Sequence, residues 1–372
     1  MKMAPTDIIM SATGKCNLHC SICDIPVSSS KDTLSLSDFK KIIDQASSAG
    51  AKNFTLSGGE PLLIREVFEI ISYAKRKGLH VSMSTNGTLV TEEIARKLKA
   101  AGLRVANVSI DGPEEVHDAI RGKGNFRRAL NGLKMLRNVG IETTIAMTIT
   151  SKNYQYMSYI VGLAIDSGAT TVKFQPFSAD FLAEGRSTRN FMIPKEEIQQ
   201  FSDEIKKAVK FADYCGININ PKNYLFSMPD YFLGNLKVRS CMVPYKSFAI
   251  DNNGNIFACW KFKEPVGNIK KQDFLKIWNS KKFEQMRNLA KNGQCPGCLM
   301  SCYDQLFESK KEKQVVVRKM GNLKMRIINR IKQAMARIFL KKNMAPATEK
   351  EKALLEIEES KKMLNEEMKR LK

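Results

Sequence analysis

The chain has 372 residues, 43% of them hydrophobic, and a formal net charge of +22. That length supports two domains, or one large domain with an appendage, around an ordinary core, so the chain reads as globular. No apolar run approaches membrane-spanning length, and the start, with Lys2 before Pro5-Thr6-Asp7, has no signal-peptide pattern; both argue against export or a membrane span, and a cytoplasmic location is expected.

From residue 7 to 212, short β-rich runs alternate with amphipathic runs, the pattern of a parallel sheet with crossover helices. Strands are predicted over 8–12, 53–57, 80–84, 105–110, 143–149 and 171–175. Helices are predicted over 36–49, 65–77, 92–101, 126–139, 154–166 and 195–211, several closed by a glycine such as Gly50 or Gly102. In a barrel of such units, function sits where strands end. Only six residues precede the first strand, so no N-terminal peptide-recognition domain is expected. Residues 218–234 read as an irregular connection, and 241–302 as a small cysteine-bearing domain with a hairpin turning at Asn253-Gly254.

Beyond Tyr303 the chain is a tail in two parts. Residues 310–342 hold twelve Lys or Arg against one acid, Glu312, which is half of the total charge excess. Leu323, Ile327, Ile331, Met335 and Ile338 recur there at helical spacing, giving a basic amphipathic helix that can pack on the body, lie on an anionic membrane surface, or bind an acidic partner. Nucleic acid is disfavoured, because no aromatic residues interleave for stacking. Leu354, Ile357, Leu364, Met368 and Leu371 mark a second helix of fewer than three clean heptads, suited to packing on the body or to dimerising.

Nine cysteines in a reducing compartment favour metal or cluster ligation over disulfides, the more so because eight fall in two groups. Cys16, Cys20 and Cys23 put three thiols on one tight loop after the first predicted strand. A cubane 4Fe-4S cluster takes four ligands, so three cysteines leave one iron open; a zinc knuckle is the alternative, although zinc sites usually close with four. Ser57-Gly58-Gly59-Glu60-Pro61 ends the second strand, Ser84-Thr85-Asn86-Gly87 the third, and Ser109-Ile110-Asp111-Gly112 the fourth, leading to Arg121.

This ordered set resembles the radical SAM superfamily over about residues 7–212. The resemblance implies an α/β fold, a partial (β/α)6 TIM-like barrel, with S-adenosylmethionine chelating the open iron of a 4Fe-4S cluster. It implies that Gly58 and Gly59 let backbone approach the cofactor's amino group, that Glu60 accepts a hydrogen bond from it, and that Ser109 and Arg121 hold ribose and carboxylate. Ser84, Asn86 and Asp111 stand around the ribose, although Asn86-Gly87 and Asp111-Gly112 are also ordinary turn pairs. The fifth strand would wall the adenine, with Ile22 where an aromatic is common. The implied reaction is reductive cleavage of the cofactor to a 5′-deoxyadenosyl radical, which abstracts a substrate hydrogen.

Cys241, Cys259, Cys295, Cys298 and Cys302 resemble the SPASM/twitch extension. Five cysteines suffice for one auxiliary 4Fe-4S cluster and not two, with Cys302 a spare or a substitute; a structural zinc site is the alternative. Trp260 stands where sulfatase-maturating members carry a basic Asp, so that activity is not expected. The domains are thus expected at 1–235 (barrel), 236–305 (small cysteine-rich α+β C-terminal domain) and 306–372 (helical basic tail).

Arg186, in a Gly-Arg turn after the sixth strand, and Arg189 can bind an acidic substrate group or simply belong to an exposed charged loop. Cys215 reads as a buried thiol, and His19, His80 and His117 are given no catalytic role. The expected partners are an electron donor such as flavodoxin or ferredoxin, and a peptide or small-molecule (cofactor-precursor) substrate. The competing class is an iron–sulfur electron-transfer or binding protein, which would have no need of Glu60, Ser109 and Arg121.

Overall fold

The computed structural model describes residues 5–28, 34–183, 185–236, 240–295 and 297–300. Both predicted tail helices, and Cys302, lie outside them.

In chain order the first body runs β1 (Asp7–Thr13), α1 (Ile25–Ser28), α2 (Leu36–Ser48), β2 (Asn53–Gly58), α3 (Val67–Arg76), β3 (His80–Thr85), α4 (Glu92–Ala101) and β4 (Val105–Ser109). It continues with α5 (Glu114–Arg121), α6 (Asn125–Asn138), β5 (Glu142–Ile149), α7 (Met157–Ser167), β6 (Thr171–Pro176) and α8 (Ile198–Cys215). Then follow α9 (Lys222–Phe226), α10 (Met228–Phe232), α11 (Val243–Lys246), β7 (Ser247–Ile250), β8 (Asn255–Phe257), β9 (Gly267–Asn268), α12 (Phe274–Trp278) and α13 (Lys281–Lys291). Strands β1 to β6 pair in sequence order and in parallel, and β6 is one end of the sheet. On the other side of β1, β7 pairs in parallel, Asp7 opposite Ser247, and β8 and β9 add antiparallel strands, so the C-terminal hairpin continues the barrel's own sheet.

Alternation along the strands decides what each face of the sheet does. Ile8, Met10, Phe54, Leu56, Val81, Met83, Ala106 and Val108 are buried on the convex face, under helices whose apolar positions (Phe39, Ile42, Ile43, Ile70, Ile71) recur every three or four residues. Each such aliphatic or aromatic side chain contributes roughly 1.5–3 kcal/mol by leaving water. The concave face instead carries Ser11, Thr55, Ser57, Ser82, Ser84 and Asn107, all of which line a cavity, with the Thr55 and Ser82 hydroxyls paired at 2.9 Å. A filled barrel core would need branched aliphatics there; small polar groups leave room for a ligand.

The predicted α/β units are all present, with shifts at their ends. The helix expected from 65 starts at Val67, after a 3₁₀ turn over Pro61–Leu63, and the one expected from 154 opens with a 3₁₀ turn over Tyr154–Tyr156. Ser35 caps α2 reciprocally with Asp38, which sets its start. Helix α5 was not among the predicted elements, although Pro113 followed by Glu114 and Glu115 is a good opening for a helix. Among the described residues no helix is long and apolar enough to cross a membrane.

Candidate active site and second cysteine site

Cys16, Cys20 and Cys23 line one cavity of about 150 Å³ together with Gly58, Gly59, Ser84, Asn86, Ser109 and Arg121. Residues at or after four strand ends, from Cys16 to Arg121 in sequence, therefore face one space. Two other predicted members, Glu60 and Asp111, are fully buried and stand behind it.

The Gly-Gly-Glu turn clamps the start of the cysteine loop. Gly59 N–H donates to Thr13 O at 2.7 Å and Glu60 N–H to Lys15 O at 2.8 Å. A Cβ on Gly59 would fall 2.0 Å from Lys15 O, and one on Gly58, which has φ +110°, 2.7 Å from Thr13 O. The two glycines are thus required by the approach of the protein's own backbone. The Glu60 carboxylate is engaged inside the protein: Oε1 accepts from Leu62 N–H (3.1 Å) and Thr85 Oγ1 (2.8 Å), and Oε2 from Asn86 N–H (2.8 Å). Burial pushes this carboxyl up to about 6 against those three donors. In this position Glu60 is a strut between the second and third strand ends. Through it Asn86 is held so that its Nδ2 reaches Cys16 Sγ at 3.9 Å and Asn17 Oδ1 at 2.9 Å.

Arg121 is held in the same indirect way. Its Nε donates to Asp111 Oδ2 at 2.5 Å, and Asp111 Oδ1 accepts from Thr148 N–H at 2.9 Å. Asp111 fixes the guanidinium at the cavity wall and does not itself line the cavity. Asp111 N–H donates to His117 Nδ1 at 3.2 Å, and burial lowers His117 to about 4, so its ring is neutral and edge-on to Phe126. Burial also raises the thiols, Cys20 to about 11, while Arg121 opposes the shift at Cys20 and Cys23. Partly buried thiols of this kind become thiolates when a metal centre supplies the compensating charge.

Arg186, expected as a candidate for an acidic substrate group, ion-pairs with Asp24, the residue after Cys23, and its Nη2 donates to Ser21 O at 2.8 Å. The other oxygen of Asp24 accepts from Ala183 N–H at 2.8 Å. The loop after β6 is thereby latched to the cysteine loop. Asp24 was missed in the sequence, where only its adjacency to Cys23 could have marked it. Arg189 is exposed.

The second group brings four predicted cysteines together. Cys241 and Cys295 lie within electrostatic reach of Cys259, and Cys259 and Cys241 within reach of Cys298; burial raises Cys259 to about 11 and Cys298 to about 12. Among the described residues, no three His, Cys, Asp or Glu side chains are gathered closely enough to hold a single metal ion. Three thiols at the first site and four at the second are donor sets of the kind that hold iron–sulfur clusters. Cys215 is buried at the end of α8.

A larger cavity of about 1060 Å³ adjoins the first at Cys23, Ser57, Ser84 and Ser109, and reaches Trp260 and Met300 in the C-terminal part. Asp180, on its wall, accepts from Lys261 at 2.8 Å, and Lys261 is in turn close to Cys259 and Cys298. One space thus extends from the first cysteine group towards the second.

The Radical SAM superfamily model matches residues 10–163, and the model of the SPASM iron–sulfur cluster-binding domain matches 241–303. The chain is 31% identical over 324 residues to the AdoMet-dependent heme synthase of Methanosarcina barkeri (strain Fusaro), covering 80% of this chain and 89% of the relative. The chain belongs to the radical SAM superfamily. It is also 28% identical over 301 residues to the sporulation killing factor maturation protein SkfB of Bacillus subtilis (strain 168), covering 79% of this chain and 69% of that one. Streptococcus suis SuiB bound to S-adenosylmethionine shares the fold at a TM-score of 0.64 and 16% identity, covering 83% of this chain and 75% of SuiB. This radical SAM protein is an enzyme that uses S-adenosylmethionine and a 4Fe-4S cluster, with auxiliary iron–sulfur ligation in its SPASM domain, and it needs a reductant. The electron-carrier class is set aside with that membership.

Proposed function

We propose that this radical SAM enzyme acts on a cofactor precursor of the tetrapyrrole class. The observation that carries this reading is the 31% identity to a heme synthase along 89% of that relative's length. The cavity of about 1060 Å³ supports it, being large enough for S-adenosylmethionine and a sizeable substrate together, since single ligands of drug size take about 300–1,000 Å³.

Cys16, Cys20 and Cys23 hold the first cluster, and Cys241, Cys259, Cys295 and Cys298 a single auxiliary one, with Cys302 as the substitute ligand. When bound, the cluster and S-adenosylmethionine supply one-electron cleavage to a hydrogen-abstracting 5′-deoxyadenosyl radical. The residues do the rest. Arg121, kept charged by Asp111, takes the carboxylate of S-adenosylmethionine and offsets the negative charge of the thiolates. Ser84 and Ser109 offer hydrogen bonds to its hydroxyl groups, Asn86, whose amide is taken up by Cys16, Asn17 and Thr88, braces the cysteine loop beside it, and Gly58 and Gly59 hold the loop close without side chains. Glu60 and Asp111 act through Asn86 and Arg121, as positioning residues. The Asp24–Arg186 latch keeps water from the cysteine loop. A cytoplasmic flavodoxin or ferredoxin supplies the electron.

Anaerobic reconstitution followed by dithionite, S-adenosylmethionine and iron coproporphyrin III tests the reading. The expected result is 5′-deoxyadenosine formation stimulated by the porphyrin and matched mole for mole by a mass change in it. Unchanged porphyrin, with stimulation by a cysteine-rich peptide instead, would overturn the substrate class and leave the radical chemistry standing.

A further inference from the structure

The charges on the wall of the large cavity are not evenly committed. Asp7 accepts from Asn53 Nδ2 at 2.7 Å and from Thr6 Oγ1; Asp251 accepts from Asn253 N–H at 2.9 Å and Asn255 N–H at 2.8 Å. Asp180 is paired with Lys261, and Arg121 with Asp111. Lys173 and Lys246 also line this wall, both exposed to it, and among the described residues neither ammonium group has a hydrogen-bond or ion-pair partner. The lining therefore presents two cations to a ligand, while its carboxylates are already occupied by donors of the protein.

Register places Lys173 near the reacting end. Lys173 lies opposite Ala146 across β5 and β6, and Ala146 opposite Ser109 across β4 and β5, so Lys173 is two strand spacings, ~10 Å, from the Ser109 that lines the cysteine cavity. Lys246 stands at the far end: its neighbour Ser247 pairs with Asp7, six residues and ~20 Å along β1 from Thr13. One cation near the first cysteine group and one remote from it match a large ligand with anionic groups at opposite edges.

We infer that Lys173 and Lys246 form a two-point anion subsite that binds separate carboxylates of the substrate, Lys173 the one nearer the cysteine loop and Lys246 a distal one. The inference deepens the tetrapyrrole reading and rests on it for the identity of the substrate. It assigns the recognition of charge to residues that no cofactor role engages.

Equilibrium dialysis of the reconstituted protein against coproporphyrin III and its tetra-amide tests this, with Lys173→Gln, Lys246→Gln, the double variant, and Lys270→Gln, an exposed lysine away from the cavity, as a control. The acid should bind at least tenfold more tightly than the amide. Each single variant should lose about threefold to tenfold for the acid alone, the double variant more, and Lys270→Gln nothing. Equal binding of the acid by wild type and double variant overturns the subsite and leaves the substrate class intact. If wild type binds neither porphyrin, the substrate class fails, and hexaglutamate against hexaglutamine decides the subsite: retention that depends on charge and is lost in the double variant sustains it, and any other pattern overturns it. Thermal melts of the variants separate misfolding from lost binding.

Discussion

Replacing Gly59 by alanine isolates the close approach between the Gly-Gly-Glu turn and the cysteine loop. The added Cβ would sit 2.0 Å from the Lys15 carbonyl oxygen and 2.7 Å from its carbon, both backbone atoms one residue before Cys16. Relief to an ordinary contact of ~3.5 Å requires a displacement of about 1.5 Å in a segment that carries a predicted ligand. The same movement breaks the 2.8 Å bond from Glu60 N–H to Lys15 O. Overpacking costs roughly 1–3 kcal/mol and the lost bond roughly 0.5–1.5, so about 2–4 kcal/mol falls on the site itself. Gly78→Ala is the matched control: its φ of +81° imposes left-handed strain of about 1–2 kcal/mol, but nothing lies within 4 Å of the new Cβ. Iron and sulfide per chain after anaerobic reconstitution, together with a melting curve, distinguish the two. Gly59→Ala should bind about four fewer irons than wild type, one cluster's worth, whereas Gly78→Ala should be slightly destabilised and fully loaded. Full iron and wild-type cleavage of S-adenosylmethionine in Gly59→Ala would refute the clamp.

Other perturbations probe the supporting residues. Because burial holds Glu60 at about 6 against an ordinary 4.5, its contribution to stability is full below about 4.5 and is lost as pH rises through about 6. That loss is on the order of 2 kcal/mol, so the difference in stability between wild type and Glu60→Gln, followed by denaturant melts, should move against the wild type across that window; a flat difference rejects the raised value. Asp111→Asn removes the carboxylate that holds Arg121 and should raise the KM for S-adenosylmethionine about tenfold; an unchanged KM would dismiss Asp111 as a positioning residue. Arg186→Ala should make iron loss in air several-fold faster than in wild type, with Arg186→Lys in between, and equal rates for all three would remove the latch. Cys298→Ser should reduce iron from about eight to about four per chain while Cys215→Ser leaves it unchanged, and the reverse would misassign the second group.

Much of this was legible before any coordinates. Short β-rich runs set between amphipathic ones located the six strands, helical spacing with terminal glycines located most helices, and the cysteine spacing with its ordered strand-end motifs marked which ends matter. Those signals are local in sequence, and local chemistry suffices for them: a glycine pair, a turn, or three thiols on one loop are recognisable without neighbours. Helix α5 escaped because its eight residues coincide with a binding motif and were read only as that.

What residues do to one another was decided by the tertiary structure. Glu60 and Asp111 carry the same carboxylate whether they meet a ligand or a neighbour, and only packing shows that Thr85, Asn86 and Leu62 occupy the first and Arg121 and Thr148 the second. Asp24 and Arg186, 162 positions apart, become partners because the loop after β6 returns over the cysteine loop. Lys173 looked like any other strand lysine until the curvature of the sheet turned it into a cavity whose carboxylates were already satisfied. The amino-acid sequence by itself determined the kind of chemistry, since ligand type and spacing are covalent facts; the fold decided which charges are left for the substrate, because that depends on distance and burial.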